Sequence, residues 1–149
     1  MAYFKPSVTV DALVIWPTPE GLQILLIQRK HPPFSQTWAL PGGFIEEEET
    51  LITSVSRELA EETGLTGLQF TQFGAYGDPG RDPRGRTITV AYFAQVQGNR
   101  PPQVKGYDDA QDARWFSIRN LPELAFDHAQ VIEDGLKAYL KQQSAIGSA

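Results

Sequence analysis

The sequence predicts an α/β (α+β) domain in which a sheet is covered on two faces. Three observations predict it. Runs rich in β-branched residues recur between turn signals. Two other segments repeat their apolar residues at helical spacing. The helical segments are mixed among the strands rather than set apart, which favours layers packed on one sheet.

Residues 8–16 (VTVDALVIW) predict a first strand, residues 17–21 (PTPEG) a turn, and residues 22–28 (LQILLIQ) a second strand. Together they are a hairpin candidate. Residues 31–37 read as a loop, and residues 38–40 as a short strand broken by Pro41-Gly42-Gly43. Residues 50–63 are the clearest helix: Leu51, Val55 and Leu59 recur every four residues, with Ile52 beside them. Glutamates precede it, where the helix dipole favours negative charge, and Gly64 suits a left-handed end. Residues 68–73 predict a strand, residues 77–86 (GDPGRDPRGR) a polar loop, and residues 87–97 a strong strand. Residues 98–112 read mostly as loop and 113–116 as a short strand. Residues 124–141 contain a second helix, with Ile132, Leu136 and Leu140 as its apolar stripe and Asp127 as its N-cap.

The 149 residues fit one domain, 1–149, which can bury roughly two-thirds of its unfolded surface. There is no cysteine, so disulfides and thiolate metal sites are excluded, and a reducing cytoplasm is the expected setting. The net charge is -5. This gives no basic surface for nucleic acid, and no stretch is apolar enough to span a membrane. The first residues lack the pattern of a signal peptide, and residues 142–149 read as a frayed tail.

The chemistry concentrates in residues 43–65, GFIEEEETLITSVSRELAEETGL. Glu58 and Glu62 are four apart, so they share a helix face, and Glu61 joins them. Like charges at this spacing destabilise a bare helix by roughly 0.2–0.5 kcal/mol per pair. Glu46, Glu47, Glu48 and Glu49 crowd the approach, and Arg57 is the one cation within the helix. Such a group suggests that hard divalent cations supply the missing charge, because Mg²⁺ and Mn²⁺ prefer oxygen ligands. Taken alone, a glutamate-rich helix is a solvated face. The glycine pair allows a sharp turn and exposes main-chain carbonyls.

The full pattern changes that weighting. Gly43, five residues, Glu49, seven residues, Arg57-Glu58-Leu59, one residue, Glu61-Glu62, one residue and Gly64-Leu65 resembles the Nudix box at every defining position. The resemblance implies an α/β/α sandwich with a central mixed sheet and a metal-dependent pyrophosphohydrolase. It implies that Glu58 and Glu62 are direct metal ligands, that Glu61 is a ligand or acts through water, and that the Gly42 carbonyl is a further ligand. By the same resemblance Arg57 orients the glutamates, and Glu49 positions Arg57 or a metal-bound water. Mg²⁺ is the expected cofactor, with Mn²⁺ able to substitute. The family often draws its catalytic base from a loop before a late strand. Here that loop offers Asp108, Asp109 and Asp112, and the distance to Trp115 favours Asp109.

Outside the box, Arg81, Arg84 and Arg86 are candidate phosphate contacts, since arginine forks match phosphate oxygens. His128 is a candidate for facing the cleft. With the segments KPSVTVDALV and LAFDHAQVI, these resemble the ADP-ribose pyrophosphatase branch of the family, which implies hydrolysis of ADP-ribose to AMP and ribose 5-phosphate. Two alternatives stay open: a noncanonical nucleoside triphosphate as substrate, and a non-catalytic sugar-nucleotide sensor. Sensors of this kind need a further helical domain, whereas this chain ends soon after its last predicted helix and keeps an intact box. The expected partner is therefore a small nucleotide, and the branch's habits make a homodimer the expected assembly.

Overall fold

The computed structural model describes residues 3–106 and 110–147, which form seven strands and two helices. β1 (Ser7–Thr18) and β2 (Gly21–Arg29) make the expected hairpin. The strands run further than the sequence suggests, leaving Pro19 and Glu20 as the turn. They stay paired only from Ile15–Ile24 to Thr18–Gly21, and beyond that they splay apart. The freed half of β1 takes β4 (Gly42–Phe44), and the freed half of β2 takes the short β3 (Trp38–Ala39). The splay leaves a wedge in the middle of the sheet.

The sheet extends on both sides of this wedge. β7 (Ala110–Ser117) pairs antiparallel with the outer edge of β2. β6 (Thr87–Gln95) lies parallel to β1, and β5 (Thr71–Tyr76) lies antiparallel to β6. The sheet is therefore mixed, as the fold class requires.

Successive strand residues face opposite sides, so each central strand feeds two cores. Val10, Ala12 and Val14 of β1 join Leu25, Ile27 and Tyr92 under α1 (Leu51–Thr63), through Val55 and Leu59. Leu13 and Ile15 join Ile24, Leu26 and Phe93 under α2 (His128–Gly147), through Val131, Ile132 and Tyr139. Burial on both faces explains why residues 8–16 read as a nearly continuous apolar run. Each fully buried aliphatic side chain contributes about 1.5–3 kcal/mol relative to exposure. Among the described residues no helix is long and apolar enough to cross a membrane.

α1 keeps its expected bounds. Thr50 caps it by accepting from the Thr53 amide at 3.2 Å, and Gly64 ends it with φ 83°. Four other readings change. Gly42 and Gly43 are not only a turn but form β4, pressed against β1. β5 lies three residues later than expected, around an irregularity between Gln72 and Gly74. β7 is longer than residues 113–116, because it follows β2 from Gln23 to Arg29. α2 begins at His128, directly after the expected N-cap position Asp127, but runs on to Gly147, past residue 141 and into the expected tail. Its buried stripe is Val131, Ile132, Gly135 and Tyr139, while Leu140 is 53% exposed. The cause is Gly135: a Cβ there would meet Leu13 at 2.5 Å and Phe73 at 2.7 Å, so the helix approaches the sheet on that face.

Candidate active site

The wedge between β1 and β2 opens into a pocket of about 540 Å³. Glu46, Glu58, Glu61 and Glu62 line it from α1 and its approach, and Gly42 and Gly43 form part of the floor. Arg29, Lys30, Arg81 and Arg84 line other parts. The pocket thus presents both carboxylates and cations, a pairing suited to a metal-assisted reaction on an anion.

β4 and α1 are fitted to each other. A Cβ at position 43 would lie 2.6 Å from the Glu58 carboxyl, so only glycine leaves that carboxylate its place. A Cβ at position 42 would collide with the Val10 carbonyl and come within 2.5 Å of Asp11. The Ala12 amide donates to the Pro41 carbonyl at 2.8 Å, one step beyond the β1–β4 ladder. The Gly42 amide instead donates to Glu62 Oε1 at 2.7 Å, away from β1. In an extended strand a residue's N–H and C=O share one edge, so the Gly42 carbonyl also faces away from β1.

Arg57 gathers the acidic residues. Its Nε and Nη2 donate to Glu49 at 2.6 and 2.9 Å, and its Nη1 donates to Glu58 at 2.9 Å and Glu61 at 3.2 Å. Glu49 also accepts from Ser54 Oγ at 2.6 Å. Arg57 beside it, then Ser54, pulls the Glu49 carboxyl down to about 2, and Glu49 in turn holds the Arg57 guanidinium above its usual range. Burial pushes the Glu58 carboxyl up, only partly countered by Arg57. A further cation beside Glu58 would favour its charged form. Among the described residues no three acidic or histidine side chains stand close enough to hold a metal as placed. Each is turned to a hydrogen-bond donor instead, Glu58 and Glu61 to Arg57, and Glu62 to Gly42.

The arginines of the 77–86 loop divide. The Arg81 side chain is 5% exposed and makes a two-pronged pair with Asp127, Nε at 2.8 Å and Nη2 at 2.7 Å. The Asp127 carboxylate is thus spent on Arg81. Burial raises the cost of charge on Asp127, but Arg81 outweighs it and holds the carboxyl below its usual range. Arg84 pairs with Asp82 and lies over the rings of Phe44 and Phe126, 5.0 and 5.3 Å from their centres. Arg86 does not line the pocket; its Nε and Nη2 close on the Gly77 carbonyl at 3.2 and 2.9 Å. His128 reaches the pocket wall but is only 4% exposed, and its Nδ1 accepts from the Leu40 amide. Asp109, the expected base, lies outside the described residues, as do Tyr107 and Asp108. Asp112 is described and takes up Arg114, at 2.7 Å.

Asp11 and Phe126 are among the pocket residues that the sequence reading did not single out. Asp11 is buried and accepts from Thr89 Oγ1 at 2.6 Å. A charge interrupting an apolar central strand was the signal for it. Phe126, with φ 52°, carries Arg29 and Arg84 against its ring at 5.0 and 5.3 Å. No local signal marks it.

Residues 7–135 match the NUDIX domain family. The chain belongs to the Nudix family. It is 42% identical over 135 residues to an ADP-ribose pyrophosphatase of Methanocaldococcus jannaschii, a match covering 91% of this chain and 76% of that protein. It is 35% identical to the ADPR responsive transcriptional repressor NtrR of Acinetobacter baylyi, over 88% of this chain and 53% of the repressor. The chain therefore spans about half the length of that relative. Its fold superposes with a TM-score of 0.84 on the NUDIX domain of Shewanella oneidensis NrtR complexed with ADP ribose, at 33% identity and covering 92% of this chain and 90% of that one. Nudix hydrolases generally need divalent metal ions. The residues present fit such an ion by their chemistry: an all-oxygen donor set, one member of it destabilised as a lone anion by burial.

Proposed function

We propose that this Nudix pyrophosphohydrolase converts ADP-ribose to AMP and ribose 5-phosphate, with Mg²⁺ as its cofactor and Mn²⁺ able to replace it. The observation that carries the reading is the fit of Gly43 to the Glu58 carboxylate, at the place where two further carboxylates of α1 enter one pocket. Glu58 and Glu62 are the proposed direct ligands, with Glu61 as a third or acting through water. The outward-facing edge of Gly42 supports its carbonyl as a ligand. When bound, a divalent cation neutralises diphosphate oxygens and acidifies a coordinated water. Arg57 gathers Glu58 and Glu61 on one side of α1, and Glu49 fixes Arg57. Asp109 is the proposed base, taking the proton of the attacking water. Arg84, at the pocket beside Phe44 and Phe126, is the best-placed of the loop arginines to meet substrate, and Arg81 shapes the loop that carries it.

The named relatives support ADP-ribose as the ligand, one as a pyrophosphatase and one as a complex. We further propose that residues 1–149 act as one domain, as a homodimer in the cytoplasm. A second reading, a sugar-nucleotide sensor, is favoured by the likeness to an ADPR responsive repressor. A hydrolysis screen with Mg²⁺ and with Mn²⁺ decides between them. It compares ADP-ribose, NADH, diadenosine polyphosphates and noncanonical triphosphates, with products separated by chromatography. AMP and ribose 5-phosphate from ADP-ribose as the best substrate are the expected result. Pyrophosphate from a triphosphate would overturn the substrate. Tight ADP-ribose binding without turnover would favour the sensor.

A further inference from the structure

We infer that His128 is a positioning residue for the metal loop: by accepting the Leu40 amide it keeps residues 40–42 in place when Glu62 turns from Gly42 to a cation. The inference rests on the reading of Glu62 as a ligand. Three successive residues of this loop are tied to three different elements. The Leu40 amide donates to His128 Nδ1 at 3.0 Å. The Pro41 carbonyl accepts from Ala12 of β1 at 2.8 Å, and the Gly42 amide donates to Glu62 of α1 at 2.7 Å. If Glu62 takes a cation, the third tie is lost. On its N-terminal side, before the β1–β4 ladder takes over at Gly43, the loop that offers the Gly42 carbonyl then depends on the other two.

The His128 tie is costly to lose. Leu40 is 3% exposed, so its amide has no ready exchange of partner with water. A buried N–H left without an acceptor bears its full desolvation penalty. The ring is set for this bond. An amide can only donate, so Nδ1 must carry the lone pair and Nε2 the proton. Nε2 faces Asp11 Oδ1 at 3.7 Å, while Asp11 Oδ2 is taken by Thr89. Burial holds the imidazole below its usual range, which keeps Nδ1 an acceptor. The ring is also fixed at its root, because His128 is the first residue of α2 and its amide donates to the Ala125 carbonyl at 3.1 Å. Leu40 lies 88 residues away in sequence, so the bond joins α2 directly to the metal loop.

Substitution can separate this from space filling. Asn at 128 puts an acceptor oxygen where Nδ1 stands. Gln puts it one bond further out, toward Asp11, and fills more of the volume. Leu fills the space and accepts nothing. Mn²⁺ binding is measured without substrate by electron paramagnetic resonance or calorimetry, and exchange of the Leu40 amide is followed with and without Mn²⁺. His128→Leu and His128→Gln are expected to bind Mn²⁺ about tenfold or more weakly, and His128→Asn within about threefold of the parent, as for other partners that orient a metal ligand. The Leu40 amide is expected to stay protected in Mn²⁺ in the parent and in His128→Asn alone. Parent-like affinity in His128→Leu or His128→Gln, or equal weakening in His128→Asn and His128→Gln, would overturn the inference. If His128→Leu does not fold, the Asn and Gln pair decides. If the parent binds no Mn²⁺, both the ligand assignment and this inference fall. If it binds Mn²⁺ but hydrolyses another substrate, only the ADP-ribose reading falls.

Discussion

Gly43→Ala tests how tightly β4 is built around the Glu58 carboxylate. The added Cβ would lie 2.6 Å from that carboxyl group, against 3.4 Å for ordinary contact, so the carboxyl must withdraw by about 0.8 Å. The obstacle is the far end of a flexible side chain, so the fold can accommodate it. The expected loss of stability is about 1 kcal/mol, or about 3 °C in Tm for a chain of this size. The effect on function is expected to be larger. A misplacement on the order of 1 Å in an active site costs about a hundredfold in rate, and Mn²⁺ affinity should fall with it. Gly42→Ala is the control. There the Cβ would collide with the Val10 backbone carbonyl, which cannot step aside, and the expected loss is about 3 kcal/mol or more. Thermal melting, Mn²⁺ titration and kcat on ADP-ribose are measured on both variants. Full activity and Mn²⁺ affinity in Gly43→Ala would refute the reasoning, as would equal losses of Tm in the two.

Three further expectations concern the charges. Glu49 titrates near 2 in the folded chain instead of 4.5, so it stabilises the fold above pH 4.5 and that contribution disappears as pH falls toward 2. Melting curves should therefore fall more steeply across that window in the parent than in Glu49→Gln, and parallel curves would count against the Arg57–Glu49 pair as its cause. Arg81→Met strands Asp127, which is 28% exposed, and should cost about 2–3 kcal/mol in denaturant unfolding, with part recovered in the double variant Arg81→Met/Asp127→Asn. Arg84→Ala should raise KM for ADP-ribose about tenfold with little change in kcat, whereas Arg86→Ala should leave KM within about twofold. The reverse order would show that the loop turns its other arginine to the substrate.

What the sequence disclosed about this protein was what is written locally. The α1 stripe, the Thr50–Gly64 limits and the box spacing are patterns within 23 residues, so they are legible without any partner. The hairpin and the mixed arrangement of strands and helices are legible for the same reason. What escaped depends on distant partners. The Gly42-Gly43 pair reads as a turn until β1 and Glu58 are seen to press on it. The buried face of α2 is turned by what surrounds Gly135. Arg81, Arg84 and Arg86 are alike in sequence. One finds Asp127, 46 residues away, one finds Asp82 and two rings, and one finds a backbone carbonyl. Arginine content gave the electrostatic need of the pocket but not which guanidinium meets it.

If Glu58, Glu61 and Glu62 take a cation as proposed, the arrangement at Arg57 explains how the site can be stable both before and after it arrives. Four nearby carboxylates would repel one another strongly if nothing held them. Glu62 rests on the Gly42 amide, a neutral donor. Glu49 takes two nitrogens of Arg57, a geometry that is both strong and directional. Glu58 and Glu61 share the third nitrogen. A cation entering the pocket therefore competes only for the shared nitrogen and the backbone amide. It need not disturb the pair with Glu49, which keeps Arg57 on α1 throughout. A lysine at position 57 would match the charge but could not divide it, because a single ammonium cannot hold Glu49 by two parallel bonds and leave a separate donor for Glu58 and Glu61. On the proposed reading, one edge of the guanidinium is thus structure, and the other holds the place of the metal.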